Sequence, residues 1–80
     1  MLEQLKAAEK VIGAKQVTRA LKNASVSCVY LAHDAEPKIT EPIMRQCSQE
    51  GVPVEVADTM EQLGRACGIA VGSAVAAVLK

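Results

Sequence analysis

Seven consecutive residues, Val26-Ser27-Cys28-Val29-Tyr30-Leu31-Ala32, restrict the fold more than any other stretch of the chain. Apolar and β-branched side chains fall on both alternating sets of positions, and a strand that is apolar on both faces must be covered on both faces. Such a strand belongs in the middle of a sheet with helices above and below it. At 80 residues the chain is near the size at which one core begins to suffice, so a single domain over 1–80 is expected.

The segments around that strand alternate in period. Residues 2–9 read as a short amphipathic helix, and Val11-Ile12 as a brief extended element before a turn at Gly13. Val17, Ala20, Leu21 and Ala24 repeat at i, i+3, i+4, i+7, which predicts a helix from Lys15 to about Ala24. His33 to Pro37 closes the central strand as a loop, Pro37 biasing Glu36 toward extended geometry. A helix is expected from about Glu41 to Glu50, with Pro42 in its first turn, Ile43, Met44 and Cys47 facing inward, and Gly51 as its stop. Val52 to Ala57 is a strand with proline near its start. Asp58 or Thr59 then caps a helix through Met60, Leu63 and Cys67, and Glu61 or Gln62 completes a capping box. Gly68 to Gly72 is a loop, and Ser73 to Leu79 a last strand, although its alanine content leaves helix as a competitor. Strands alternating with helices in this order predict an α/β fold: a three-layer α/β/α sandwich around a small mixed central sheet.

Composition narrows the function. Half the residues are hydrophobic, yet there is no Trp or Phe and only one Tyr, so aromatic platforms for stacking single-stranded bases are missing. Nine basic and nine acidic side chains cancel, which argues against a general polyanion binder. Their distribution is uneven, however. Lys10, Lys15, Arg19 and Lys22 lie in an acid-free stretch ending at His33, whereas residues 34–61 carry seven acids against Lys38 and Arg45. Cys28, Cys47 and Cys67 are odd in number, with no CxxC pair and no histidine at zinc-site spacing. They read as free thiols in a reducing cytoplasm, and no metal or cofactor is expected. The charged N-terminus lacks a signal-peptide run, and the apolar tract from Gly68 to Leu79 is about half the ~20 residues a bilayer crossing needs. Neither GxxxxGK[ST] nor GxGxxG is present. His33 and Asp34 follow a strand end, as catalytic groups often do, but adjacent residues of an extended segment point different ways, and the nearest nucleophiles, Ser27 and Cys28, lie within the strand.

The cationic segment is the most informative surface. On a helix starting near Lys15, the side chains of Lys15, Arg19 and Lys22 cluster opposite the buried stripe. The positive end of the helix dipole and its unpaired N–H groups lie at Lys15, and such an end attracts phosphate. A solvated lysine face on an ordinary surface helix is the alternative.

Three blocks together are more specific than any one of them: Gly13-Ala14-Lys15-Gln16-Val17-Thr18-Arg19-Ala20-Leu21, Ala32-His33-Asp34-Ala35-Glu36-Pro37 and Leu63-Gly64-Arg65-Ala66-Cys67-Gly68-Ile69-Ala70-Val71-Gly72. In order and spacing they resemble the L7Ae/L30e ribosomal-protein superfamily, and in length its short bacterial YbxF-type branch. The resemblance implies a non-enzymatic RNA-binding domain that recognises and stabilises kink-turns, bent duplexes in which a bulge is followed by sheared G·A pairs. It implies an α/β/α sandwich, a cytoplasmic location, no membrane and a monomer that binds ribosomal or other structured RNA. By the same resemblance, Gly13 admits the RNA backbone, Lys15 and Gln16 meet base edges, and Arg19 and Lys22 hold phosphates. Ile69, Ala70 and Val71 form an apolar lip against an unstacked bulge nucleotide, with ordinary core packing as the alternative. Many members carry Asn-Glu where this chain has Lys15-Gln16, which removes an acceptor-only carboxylate and adds positive charge. A protein–protein docking module, presenting Glu41, Glu50, Glu55 and Asp58 to a basic partner, is the competing expectation.

Overall fold

The computed structural model describes residues 9–80. The helix expected over residues 2–9 lies outside them but for its last residue. Seven elements follow in order: β1 (Lys10–Ile12), α1 (Ala14–Lys22), β2 (Val26–Ala32), α2 (Pro37–Glu50), β3 (Val54–Ala57), α3 (Met60–Ala66) and β4 (Val75–Leu79). The sheet has the strand order β1-β4-β2-β3. Strand β4 runs antiparallel to both β1 and β2, while β2 and β3 are parallel, so the sheet is mixed. Strand, not helix, wins at Val75–Leu79 because β4 pairs on both sides and its valines and alanines fill both faces.

Side-chain alternation on β2 divides the core in two. Val29 and Leu31 point to α1 and α2, where they meet Val17, Leu21, Ile43 and Cys47. Tyr30 and Ala32 point the other way, toward Leu63 and Cys67 of the α3 segment. Val26 joins the first group although it stands an odd number of positions from Val29. A register shift between Val26 and Cys28 explains this, since a bulge adds one residue and reverses the parity of the strand. Two layers of helix over one sheet are thus dictated by the apolar pattern of β2.

The main local departure from expectation is α2. It begins at Pro37, whose fixed φ and missing N–H suit the first helical position, and Pro42 lies inside it rather than in its first turn. Pro42 cannot donate to the carbonyl of Lys38, a defect that costs least on an exposed surface, and Pro42 is exposed. Ile43 and Cys47, both buried and spaced i, i+4, hold the helix on the sheet just beyond this defect. Met44, expected on the inner face, is 49% exposed because it stands about 100° around the helix from Ile43. Gly51 ends α2 in the left-handed conformation, φ 70°, with its N–H donating to the carbonyl of Cys47.

Burial raises the pKa of the Cys28, Cys47 and Cys67 thiols and of the Tyr30 phenol above their ordinary values; at Cys28 a hydrogen bond with Tyr30 partly offsets it. The native state therefore holds these protons more tightly than the unfolded chain does. The resulting stability is complete below the unfolded thiol value of 9.0 and is lost as pH rises past it. Melting temperature should accordingly be flat across neutral pH and fall above about pH 9. A melting temperature that rose between about pH 8 and 10 would contradict that assignment.

Candidate nucleic-acid interface

Strands β1, β2 and β3 all run in one direction, so their C-terminal ends share one edge of the sheet, where β4 begins: Ile12 pairs with Ala76, and Leu31 with both Val75 and Val56. Each of the three helices starts just after one of those strand ends. One edge thus collects three helix N-termini, and in open α/β sheets ligands bind outside the carboxyl ends of the strands.

Gly13 is the hinge between β1 and α1. Its φ of 102° and ψ of 147° lie in a region open essentially to glycine, and its N–H donates to the Val75 carbonyl at 3.0 Å. Its own carbonyl accepts from the N–H of Val17 at 3.0 Å, which starts the helix. The Val75 carbonyl also accepts from the buried hydroxyl of Ser73 at 2.8 Å, using its second lone pair. One carbonyl therefore ties the start of α1 to the end of the 68–74 segment. Ser73, absent from the sequence-derived site, is part of the frame that holds the site together; a lone serine between small residues carries no signal of that role.

The 68–74 segment folds back along α3. Ile69 N–H donates to the Gly64 carbonyl at 3.0 Å, and Ser73 N–H to the Met60 carbonyl at 3.0 Å. Gly64 is required there: a Cβ at that position would collide with the carbonyl oxygen of Val71 and lie 3.1 Å from Cα of Gly72. α3 itself is held at both levels of its first turn. The Thr59 hydroxyl accepts from the N–H of Gln62 at 3.0 Å, and Gln62 Oε1 reaches back to the N–H of Asp58 at 2.9 Å. The Asp34 carboxylate accepts from the N–H of Met60 at 2.7 Å, crossing from the loop after β2. Asp34 is thus a cap for α3.

The site residues then fall as follows. Lys15, Gln16, Arg19 and Lys22 are exposed on α1, and Gly13 is half-buried beneath its start. Ile69 is half-buried against the α3-side core, whereas Ala70 is exposed and Val71 is 70% exposed. The Gly13–Val75 hydrogen bond brings the two segments to the same edge, Lys15 standing two residues from one partner and Val71 four residues from the other. Arg19 and Lys22 occupy the last turn of α1, at the negative end of its dipole. Lys15 is in the first turn, which has no acid and no side-chain cap. A groove of about 640 Å³ opens between α3 and the 69–72 segment, with Asp34 and Met60 at its rim.

The other candidates are dispersed. Ser27 and Cys28 lie roughly 20 and 16 Å from His33 along β2, out of reach of a histidine base. Glu41 and Glu50 are nine positions apart on α2, about half a turn out of phase, and so face opposite sides of the helix. Among the described residues no group of three or more His, Cys, Asp or Glu could hold a metal ion, and no helix is long and apolar enough to cross a membrane.

Residues 2–80 match the ribosomal protein L7Ae/L30e/S12e/Gadd45 family. The chain belongs to that family. An RNA-binding protein of Caldanaerobacter subterraneus subsp. tengcongensis is 45% identical over 69 residues, 86% of this chain and 84% of that one. The RNA-binding protein YbxF of Geobacillus stearothermophilus is 42% identical over 76 residues, 95% of this chain and 93% of that one. Among solved structures, a 15.5 kD RNA-binding protein of Giardia lamblia superposes with a TM-score of 0.90 at 28% identity, over 99% of this chain and 70% of the other. The two bacterial relatives and the Giardia protein are each named for binding RNA. The Val75 carbonyl joins Gly13, which opens the Gly13-to-Leu21 block, to Ser73, the residue that follows the Leu63-to-Gly72 block.

Proposed function

We propose that this protein is a non-enzymatic, cytoplasmic RNA-binding protein that recognises and stabilises kink-turns in ribosomal or other structured RNA, acting as a monomer. The observation that carries the proposal is Lys15. A lysine in the first turn of a helix opposes the macrodipole, and among the described residues it has no ion-pair partner to offset that. It stands at the edge where the Ile69-to-Val71 segment exposes an apolar side chain, that of Val71. Cation and apolar lip on one edge suit a ligand with phosphates and an unstacked base.

A regular RNA major groove is too deep and narrow for side chains, so a helix of this kind needs RNA that is already bent or bendable. In such a duplex Lys15 would donate to guanine O6 or N7, and Gln16 would both donate and accept on a base edge. Gly13, with no side chain, would let the backbone approach. Arg19 and Lys22 would bind phosphates, setting register without reading sequence. Ile69, Ala70 and Val71 would pack against the bulged nucleotide. The named relatives support the RNA; the scatter of Glu41 and Glu50 over opposite sides of α2 weakens the docking alternative.

A gel-shift comparison of a kink-turn RNA with a plain duplex of equal length tests shape recognition, and equal affinities would end it. Arg19→Ala should weaken kink-turn binding uniformly across sequences and lower the slope of log K against log salt by roughly one counterion. An unchanged slope would mean that Arg19 touches no phosphate.

A further inference from the structure

The fold moves one residue out of the group in which the sequence places it. Lys38 lies in the acidic half of the chain, yet as the second residue of α2 it is carried to the same edge as Lys15. The two lysines line one groove of about 380 Å³ between the helices, with Ala14 and Thr18 beside Lys15, and Ile39 and Pro42 beside Lys38. No acid lines it, and among the described residues neither lysine has an ion-pair partner. Two cations facing one groove repel each other, and no acid among the residues lining the groove offsets that.

We propose that this groove is a second backbone-phosphate seat of the RNA interface, with Lys38 as its anchoring cation; the inference rests on the RNA reading above. The geometry of a nucleic-acid groove motivates it. A helix that meets base edges lies between two phosphate walls, and Arg19 and Lys22 supply cations along its crest only. Thr18 and Ala14, about 60–100° around α1 from Lys15, turn toward α2, so the flank on that side has its cation from Lys38. A free phosphate would meet only two mobile ammonium groups in an open, apolar-floored groove. A phosphate belonging to RNA already held by α1 arrives at high effective concentration, and one added cation then suffices.

The test uses the full chain and a kink-turn RNA, titrated at salt from about 50 to 200 mM. Lys38→Ala should weaken binding roughly 3- to 10-fold and reduce the salt slope by about one counterion, and Lys38→Glu should weaken it further. Both variants should melt within a few degrees of the parent, since Lys38 is exposed. Titration of inorganic phosphate alone should give no saturable shift of amide resonances around Thr18 and Ile39. Wild-type affinity and slope in Lys38→Ala, with Lys15→Ala impaired, would overturn the second seat and leave the RNA reading standing. Saturable binding of phosphate alone, with RNA affinity indifferent to Lys38, would also overturn it. Should the parent protein fail to prefer the kink-turn over a plain duplex, the RNA reading itself fails, and the second seat with it.

Discussion

Replacing Gly64 by alanine is expected to lower the melting temperature by roughly 10–20 °C and to abolish RNA binding with it. Gly64 is buried in the middle of α3, where alanine is ordinarily preferred to glycine by about 1 kcal/mol. The opposite sign is expected here because the space for a Cβ is filled by the Val71 carbonyl and by Cα of Gly72. Both are backbone, which cannot rotate out of the way as a side-chain tip can. Forcing the methyl group in must push the 69–72 segment off α3, straining the hydrogen bonds from Ile69 to Gly64 and from Ser73 to Met60. Overpacking of this kind costs about 1–3 kcal/mol, more when backbone must move, and each kcal/mol shifts the melting point of a domain this size by about 4–8 °C. Gly51→Ala is the matched control. It introduces alanine at a φ of 70° with nothing within 4 Å, so it carries only about 1–2 kcal/mol of backbone strain, at the opposite end of the molecule. It should therefore lower stability modestly and leave RNA affinity alone. A Gly64→Ala protein that melts within about 3 °C of the parent would show that the segment does not rest on α3.

Lys15→Glu should move stability and binding in opposite directions. The first turn of α1 contains no acid, and its N-cap, Gly13, has no side chain to cap the exposed N–H groups. A carboxylate there meets the positive end of the helix dipole, a gain of about 0.3–1 kcal/mol, so the variant should melt a few degrees higher. Kink-turn affinity should fall roughly 100-fold or more, because a base-edge donor worth about 1–3 kcal/mol is lost and a carboxylate is set among phosphates. No purely structural role of Lys15 produces that pair of signs. Melting curves and binding isotherms on the same preparation decide it: unchanged affinity in a stabilised variant would reduce Lys15 to a solvated surface lysine. The same comparison at Lys22, in the last turn where cations are favourable, should give a loss in both measurements if Lys22 also binds phosphate.

The contrast between Lys15 and Lys22 also shows how far the candidate site was legible in the sequence. Both lysines lie on the polar face that the Val17, Ala20, Leu21 stripe defines, so periodicity alone finds them. Periodicity does not say that one opposes the dipole of its helix and the other favours it; that needs the start of α1, which the unusual φ of Gly13 sets. The position of Lys38 is hidden from the sequence for a related reason. A helix expected only from about Glu41 does not include Lys38, whereas Pro37 begins the helix and Pro42 is tolerated inside it. Local proline rules point to Pro42 as a start, but the first turn already forms at Pro37, where the N–H groups of Ile39 and Thr40 donate to the Glu36 carbonyl.

By itself the sequence determined the layers of this protein. A strand that is apolar on both faces, flanked by segments of helical period, can bury its side chains only between two helical layers, and alternation from Val29 to Ala32 already assigns those residues to the two sides of the sheet. Which edge of that sandwich gathers the candidate site was decided by the tertiary structure alone. Strand direction and order are set by long-range pairing, which leaves no local mark on the chain. Only once β4 runs antiparallel between β1 and β2 do Gly13, Ser73 and Val75 share a carbonyl, and only then do a cationic helix and an apolar loop, distant in sequence, face the same solvent.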